Sequence, residues 1–127
     1  MKSFIISIIC IALLLGSSIF FESYSDKALH EMATHIENTL LIEIESEDWD
    51  IASKELDVLK EEWENYRKKA IFFLSRISLN EASYAIEKAE RYVKAKDVSN
   101  SSGELAYLKE FILDLHSDES FNVSNIF

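Results

Sequence analysis

Residues 4–21 form an unbroken run of eighteen uncharged residues, and only Ser7, Gly16, Ser17 and Ser18 dilute its apolar character. Helical residues rise 1.5 Å each, so the run is about 27 Å long, close to the roughly 30 Å hydrocarbon core of a bilayer. Lys2 and the α-amino group are the only positive charges ahead of it, and Glu22 and Asp26 come directly after it. That asymmetry predicts a cytoplasmic N-terminus, with the rest of the chain extracytoplasmic. A cleaved signal peptide is the competing reading. Ser23, Tyr24 and Ser25 ahead of Asp26, or Gly16, Ser17 and Ser18, offer small residues for a peptidase. The run is nevertheless longer than a signal-peptide core, and its positive region is one lysine. Residues 1–25 are therefore read as a retained single-pass anchor in the cell membrane, with the lipid bilayer as partner of residues 4–21. Cys10 lies mid-run behind Ile8 and Ile9, where a lipoprotein would need a small residue.

Beyond the anchor, residues 26–116 are expected to form a helical domain. Proline is absent and Gly16 and Gly103 are the only glycines, which leaves little of the turn chemistry that all-β folds use. The single cysteine sits in the apolar run, so no intrachain disulfide can staple this part. A net charge of −10 argues against a nucleic-acid partner, which requires clustered Lys and Arg. The charge is also segregated: residues 26–64 are acidic, residues 67–96 net basic, and the remainder acidic again. Antiparallel helices neutralising one another is the plain reading; a basic face for anionic lipid or wall polymer is the sharper one.

Apolar periodicity predicts an all-α fold, a transmembrane helix followed by a bundle of about four helices in two antiparallel hairpins. Leu29, Met32, Ile36 and Leu40 mark a helix over about residues 26–47. Trp49, Ala52, Leu56, Leu59, Trp63, Tyr66, Ala70, Phe73 and Ile77 alternate steps of three and four, as a bundle seam requires. Asp48 stands where an N-cap belongs. Within this stripe Trp49, Ala52, Leu56, Leu59, Trp63 and Tyr66 serve either as core packing or as a groove for a partner helix. Ser78 with Glu81 forms a capping-box pattern ahead of Leu79, Ala82, Ile86, Ala89 and Val93. Ser101 with Glu104, or Asp97 earlier, opens a helix carrying Leu105, Leu108, Ile112 and Leu115. Residues 117–127 are polar and expected to be a disordered tail. Glu55, Leu56, Leu59, Lys60 and Glu61 reappear as Glu104, Leu105, Leu108, Lys109 and Glu110, and Asp48 maps onto Asp97 at the same offset. Two copies of a helical hairpin, meeting near Ile77, account for this.

Catalytic and metal chemistry find no support in the spacing. His30 and His35 are five apart, so their rings diverge by about 140° on a helix, whereas a zinc helix needs a spacing of four. They read as a solvated pair, with Glu31 able to pair with His35. Carboxylates at Glu43, Glu45, Glu47, Asp48 and Asp50, and at Glu61, Glu62 and Glu64, are too many for any two to stand out as acid and base. His116, Ser117 and Asp118 are adjacent and cannot converge on a substrate. The expectation is no enzyme, no metal and no cofactor.

The opening run of Met1, Lys2, Ser3 and Phe4 through Leu13, Leu14, Leu15, Gly16 and Ser17, and the pattern Glu47, Asp48, Trp49, Ala52, Leu56, Leu59 and Trp63, resemble an uncharacterised domain-of-unknown-function family. Its members are small proteins of Gram-positive spore formers with one N-terminal membrane helix and an exported helical part. The resemblance implies a histidine before acidic residues between the hairpins, and Arg76 occupies that place here. It also implies an accessory subunit beside a multi-pass membrane protein. The leading expectation is a non-catalytic scaffold or accessory module binding another envelope or membrane protein. The alternative is an extracytoplasmic helical sensor or ligand-binding module.

Overall fold

Between Gly16 and Gly103 the chain contains no glycine or proline, so helix ends must be made by ordinary residues. The computed structural model describes the backbone of residues 1–126 and side chains through Leu115. Four helices fill it: α1 (Lys2–Glu45), α2 (Trp49–Ala70), α3 (Arg76–Lys94) and α4 (Val98–Ile126). No strand occurs among the described residues. Helix α1 packs on α2 and α4, and α3 packs on the same two. Sequence neighbours are thus spatial neighbours around the bundle, and α4 closes the ring against α1.

The expected boundary near residue 25 is not a break in the helix. Helix α1 is continuous over 44 residues, about 66 Å at 1.5 Å per residue. Nothing among Glu22, Ser23, Tyr24, Ser25 and Asp26 forces a turn, and their spacing keeps Phe21, Ser25 and Leu29 on one buried face. Large apolar residues between Phe4 and Phe20 are exposed, whereas Phe21, Leu29, Met32, Ile36, Leu40 and Ile44 pack into the bundle. One wide π turn, Ile36–Leu40, interrupts the α geometry. Its cause is legible in the stripe Met32, Ile36, Leu40, Ile44, where steps of four succeed one another. Each such step overshoots an ideal helix by about 40°, and the wide turn absorbs the drift. All four residues are buried as a result.

The α1–α2 and α3–α4 turns are copies. Asp48 N–H donates to the Glu43 carbonyl and Glu47 N–H to that of Ile44; Asp97 N–H donates to Tyr92 and Lys96 N–H to Val93. These are Schellman closures, with Glu47 (φ 58°) and Lys96 (φ 55°) in the left-handed position usually given to glycine. The sequence repeat is therefore a repeat of turn geometry. Asp97 caps α4: one carboxylate oxygen accepts the Asn100 backbone N–H at 3.0 Å and the other accepts its side-chain amide at 2.7 Å. The backbone bond from Asn100, then the side-chain one, holds the Asp97 carboxyl below its ordinary range. Asp48 occupies the cap position of α2 without a side-chain bond.

Two capping boxes read from the sequence are not caps. Helix α3 begins at Arg76 after an extended Ser75, which leaves Ser78 inside the first turn. Ser101 is fully buried within α4 and donates to the Asp97 carbonyl, while Glu104 faces Lys88 at 3.5 Å. Helix α2 stops at Ala70, so Phe73 falls in the turn after it and Ile77 on the exposed side of α3. Neither continues the seam. Helix α4 runs through Ile126, past Ser117 where a disordered tail was expected; side chains of 116–127 lie outside the described residues.

The core is the set of apolar stripes. Leu29, Met32, Ile36, Leu40 and Ile44 of α1 meet Ala52, Leu56, Leu59, Trp63 and Tyr66 of α2, Leu79, Ala82, Ile86 and Ala89 of α3, and Leu105, Leu108 and Ile112 of α4. The Trp63 indole N–H also donates to Ser83 Oγ at 2.9 Å. Ion pairs across the surface follow the block charge only in part. Lys88 of the basic block faces Glu104 of the acidic one, whereas Lys60 of the acidic block reaches Glu90 (3.0 Å) and Glu87 (3.4 Å) of the basic block. The hydrogen bond to Glu90, foremost, raises the Lys60 pKa, and the same bond lowers that of Glu90. Exposed pairs of this kind contribute roughly 0–1 kcal/mol each.

Stability measurements on the full chain test the core and the turns. Trp63 is 1% exposed, so Trp63→Ala should cost about 3–5 kcal/mol, and an unchanged melting temperature would contradict its core position. Glycine at Glu47 or Lys96 relieves about 1–2 kcal/mol of left-handed strain and loses roughly 0.4–1 kcal/mol to unfolded-chain entropy. Glu47→Gly also removes an acid from a helix C-terminus, where the dipole disfavours it. Its melting temperature should rise, and by more than that of Lys96→Gly.

Candidate functional site: the junction of the apolar helix and the bundle

Where α1 passes from exposed to buried, three residues at helical spacing, Phe21, Tyr24 and Ser25, turn toward α2. The Phe21 ring stacks on Phe73 at 4.2 Å and 9° between planes, and lies 6.3 Å from Tyr66. Tyr24 stacks on Tyr66 at 6.1 Å, and Lys69 Nζ sits 4.6 Å above the Tyr24 ring, a cation–π geometry. Ser25 Oγ and Tyr66 Oη are 2.7 Å apart and buried. An apolar face alone would allow α1 to slide; this hydrogen bond, in a dry environment, fixes its height and rotation against α2.

Ten residues further along α1, a second polar contact repeats the clamp. His35 Nε2 lies 2.7 Å from Glu55 Oε2, and Nδ1 lies 3.0 Å from Glu62 Oε1. The Nδ1 contact has the distance of a hydrogen bond but not its direction, so Glu55 is the bonded partner and Glu62 an electrostatic one. The His35 side chain is 14% exposed, which corrects the expectation of a solvated pair. The same rotation that separates the two rings turns His35 toward α2 and leaves His30 in solvent beside Asp26, 3.1 Å from Oδ1. Glu31 is not the partner seen for His35. Because Glu55 and Glu62 approach opposite ring nitrogens, the three donors do not converge on a point. Among the described residues no group of three His, Cys, Asp or Glu side chains is placed to hold a metal ion.

The six stripe residues singled out in the sequence sit within the bundle. Ala52, Leu56, Leu59, Trp63 and Tyr66 are buried, and Trp49 is half-buried at the start of α2. Tyr66 alone belongs to the junction. Of the acidic residues, Glu62 turns to His35 while Glu61 and Glu64 face solvent. His116, Ser117 and Asp118 have side chains outside the described residues. A shallow cleft between α3 and α4 is lined by Glu81, Tyr84, Lys88, Glu104 and Tyr107. Its polar groups serve one another, with Tyr107 Oη donating to Glu81 at 3.2 Å and Lys88 facing Glu104.

Ser25 and His35 were not legible as junction residues, although one signal existed for each. Ser25 is a polar residue midway between Phe21 and Leu29 on an apolar stripe. His35 adjoins Ile36, the residue from which that stripe keeps stepping by four.

Removing His35 leaves Glu55 and Glu62 without their shared partner. His35→Ala should therefore destabilise the full chain by about 1–3 kcal/mol, whereas His30→Ala should stay within about 0.5 kcal/mol. Thermal unfolding of the two variants in the same detergent gives the ranking, and equal effects would contradict the clamp.

Comparison with curated proteins gives no match, and neither does comparison with solved structures. The family model described as a domain of unknown function (DUF4363) matches residues 19–126, which takes in the junction and all of α2, α3 and α4. The chain belongs to that family.

Proposed function

We propose that this chain is a non-catalytic accessory module that its N-terminal helix holds in the cell membrane, with the bundle extracytoplasmic, and that it binds another membrane protein. The observation that carries this reading is the continuity of α1. The exposed apolar half and the packed half are one helix, clamped to α2 and the turn after it at Phe21, Ser25 and His35. A tether meant only to keep a domain near the surface needs no such stiffness. A rigid stalk sets the bundle at one height and rotation relative to the bilayer, as docking onto a fixed neighbour requires. Lys2 ahead of the run, against Glu22 and Asp26 behind it, supports the orientation.

Two experiments test this. Protease added to sealed right-side-out membranes should digest the bundle and spare the N-terminus; digestion only after lysis would overturn the orientation. Affinity capture of the full chain from detergent-solubilised membranes should recover one dominant membrane protein in stoichiometric amount. Recovery of none would overturn the accessory role.

A further inference from the structure

The α2–α3 turn exposes what a water-facing loop normally hides. Phe72 is 82% exposed and Ile77 81%, with Ile71 and Phe73 also on the surface. Residues 65–80 contain four cations (Arg67, Lys68, Lys69 and Arg76) and no acid, in a chain of net charge −10. Lys68, Lys69 and Arg76 are exposed around the apolar tip. The turn lies beside the end of the apolar run: Phe73 stacks on Phe21, and Phe72 and Phe73 share an apolar groove with Ser17 and Phe20 of α1. Phe72 thus stands level with the last turn of that run. If residues 4–20 are in lipid, Phe72 is at the lipid boundary.

We infer that this turn is a second membrane contact. Phe72 and Ile77 insert beneath the headgroups of the leaflet from which α1 emerges, and Lys68, Lys69 and Arg76 engage anionic headgroups. The inference rests on α1 being membrane-embedded. Aromatic and aliphatic side chains backed by cations are the chemistry of interfacial anchoring, and basic side chains here can keep their stems apolar and their charges in the headgroup layer. The acids nearest in the chain on α1, Glu22 and Asp26, are exposed and come after the run by one or more residues, on the aqueous side of Phe21. Two contacts, one spanning and one interfacial, would stop the bundle tilting about α1.

The test uses the full chain in phosphatidylcholine vesicles, with and without phosphatidylglycerol, carrying one spin label at a time. The native Cys10 reports the anchor. Phe72→Cys, Ile77→Cys and Ser46→Cys, each with Cys10→Ser, report the turn and the distal end of the bundle. All three sites are exposed, and circular dichroism checks that helicity is kept. Labels at 72 and 77 should resemble that at Cys10, accessible to oxygen and shielded from a water-soluble nickel chelate, while the label at 46 shows the reverse. Phosphatidylglycerol should increase the shielding at 72. If 72 and 77 behave like 46 while Cys10 is in lipid, the inference is overturned and the anchor stands. If Cys10 itself is in water, the anchor reading falls and the inference with it. Shielding that ignores phosphatidylglycerol would overturn the role given to the three cations.

Discussion

A helix that passes from an exposed apolar segment into a protein core must change its surroundings without changing its backbone. In α1 that change happens within a single turn, between Phe20, which is exposed, and Phe21, which is buried. Aromatic rings suit this place because they are apolar on their faces and, in tyrosine, polar at a hydroxyl edge. The Ser25–Tyr66 hydrogen bond then fixes what stacking alone leaves free to rotate. The position of α2, and of the turn after it, is set by this junction. Were the junction loose, the two halves of α1 would be a stalk and a bundle helix acting separately.

The remaining helices are arranged by the repeat. Two Schellman turns with the same hydrogen bonds, one copy at Glu47 and one at Lys96, make both hairpins fold back in the same way. Helix α3 contributes Ala82, Ala85 and Ala89 to the interior, and it packs extensively on α4. Small side chains on one partner permit close approach.

Much of the architecture was legible because an apolar stripe at steps of three and four has few alternatives to a bundle seam. Leu56, Leu59, Trp63 and Tyr66 read as one face and are one face. Helix starts were less legible, since Ser78 and Ser101 satisfy a capping pattern that tertiary packing leaves unused; Ser75 opens α3 instead, and α4 opens at Asp97, the earlier of the two starts read from the sequence. The junction was hardest to read. Its contacts join residues forty-one positions apart (Ser25, Tyr66) and twenty apart (His35, Glu55), and no local pattern encodes which polar residue on a stripe will meet which. The end of α2 at Ala70 was missed because Phe73 and Ile77 keep the period of the seam while facing away from it.

The wide turn at Ile36–Leu40 has a consequence for the phase of α1. Its stripe steps by three, four, four and four from Leu29 to Ile44; with one residue fewer between Ile36 and Leu40, the steps would become three, four, three and four, the pattern of an ordinary α-helix seam. Loss of Asn38 would thus straighten the helix while leaving both flanks facing the core. Loss of a residue between Phe21 and Met32 would instead rotate the apolar segment by about 100° against the bundle, carrying Phe21 away from Phe73. The same helix is therefore indifferent to its length at one point and strictly indexed at another.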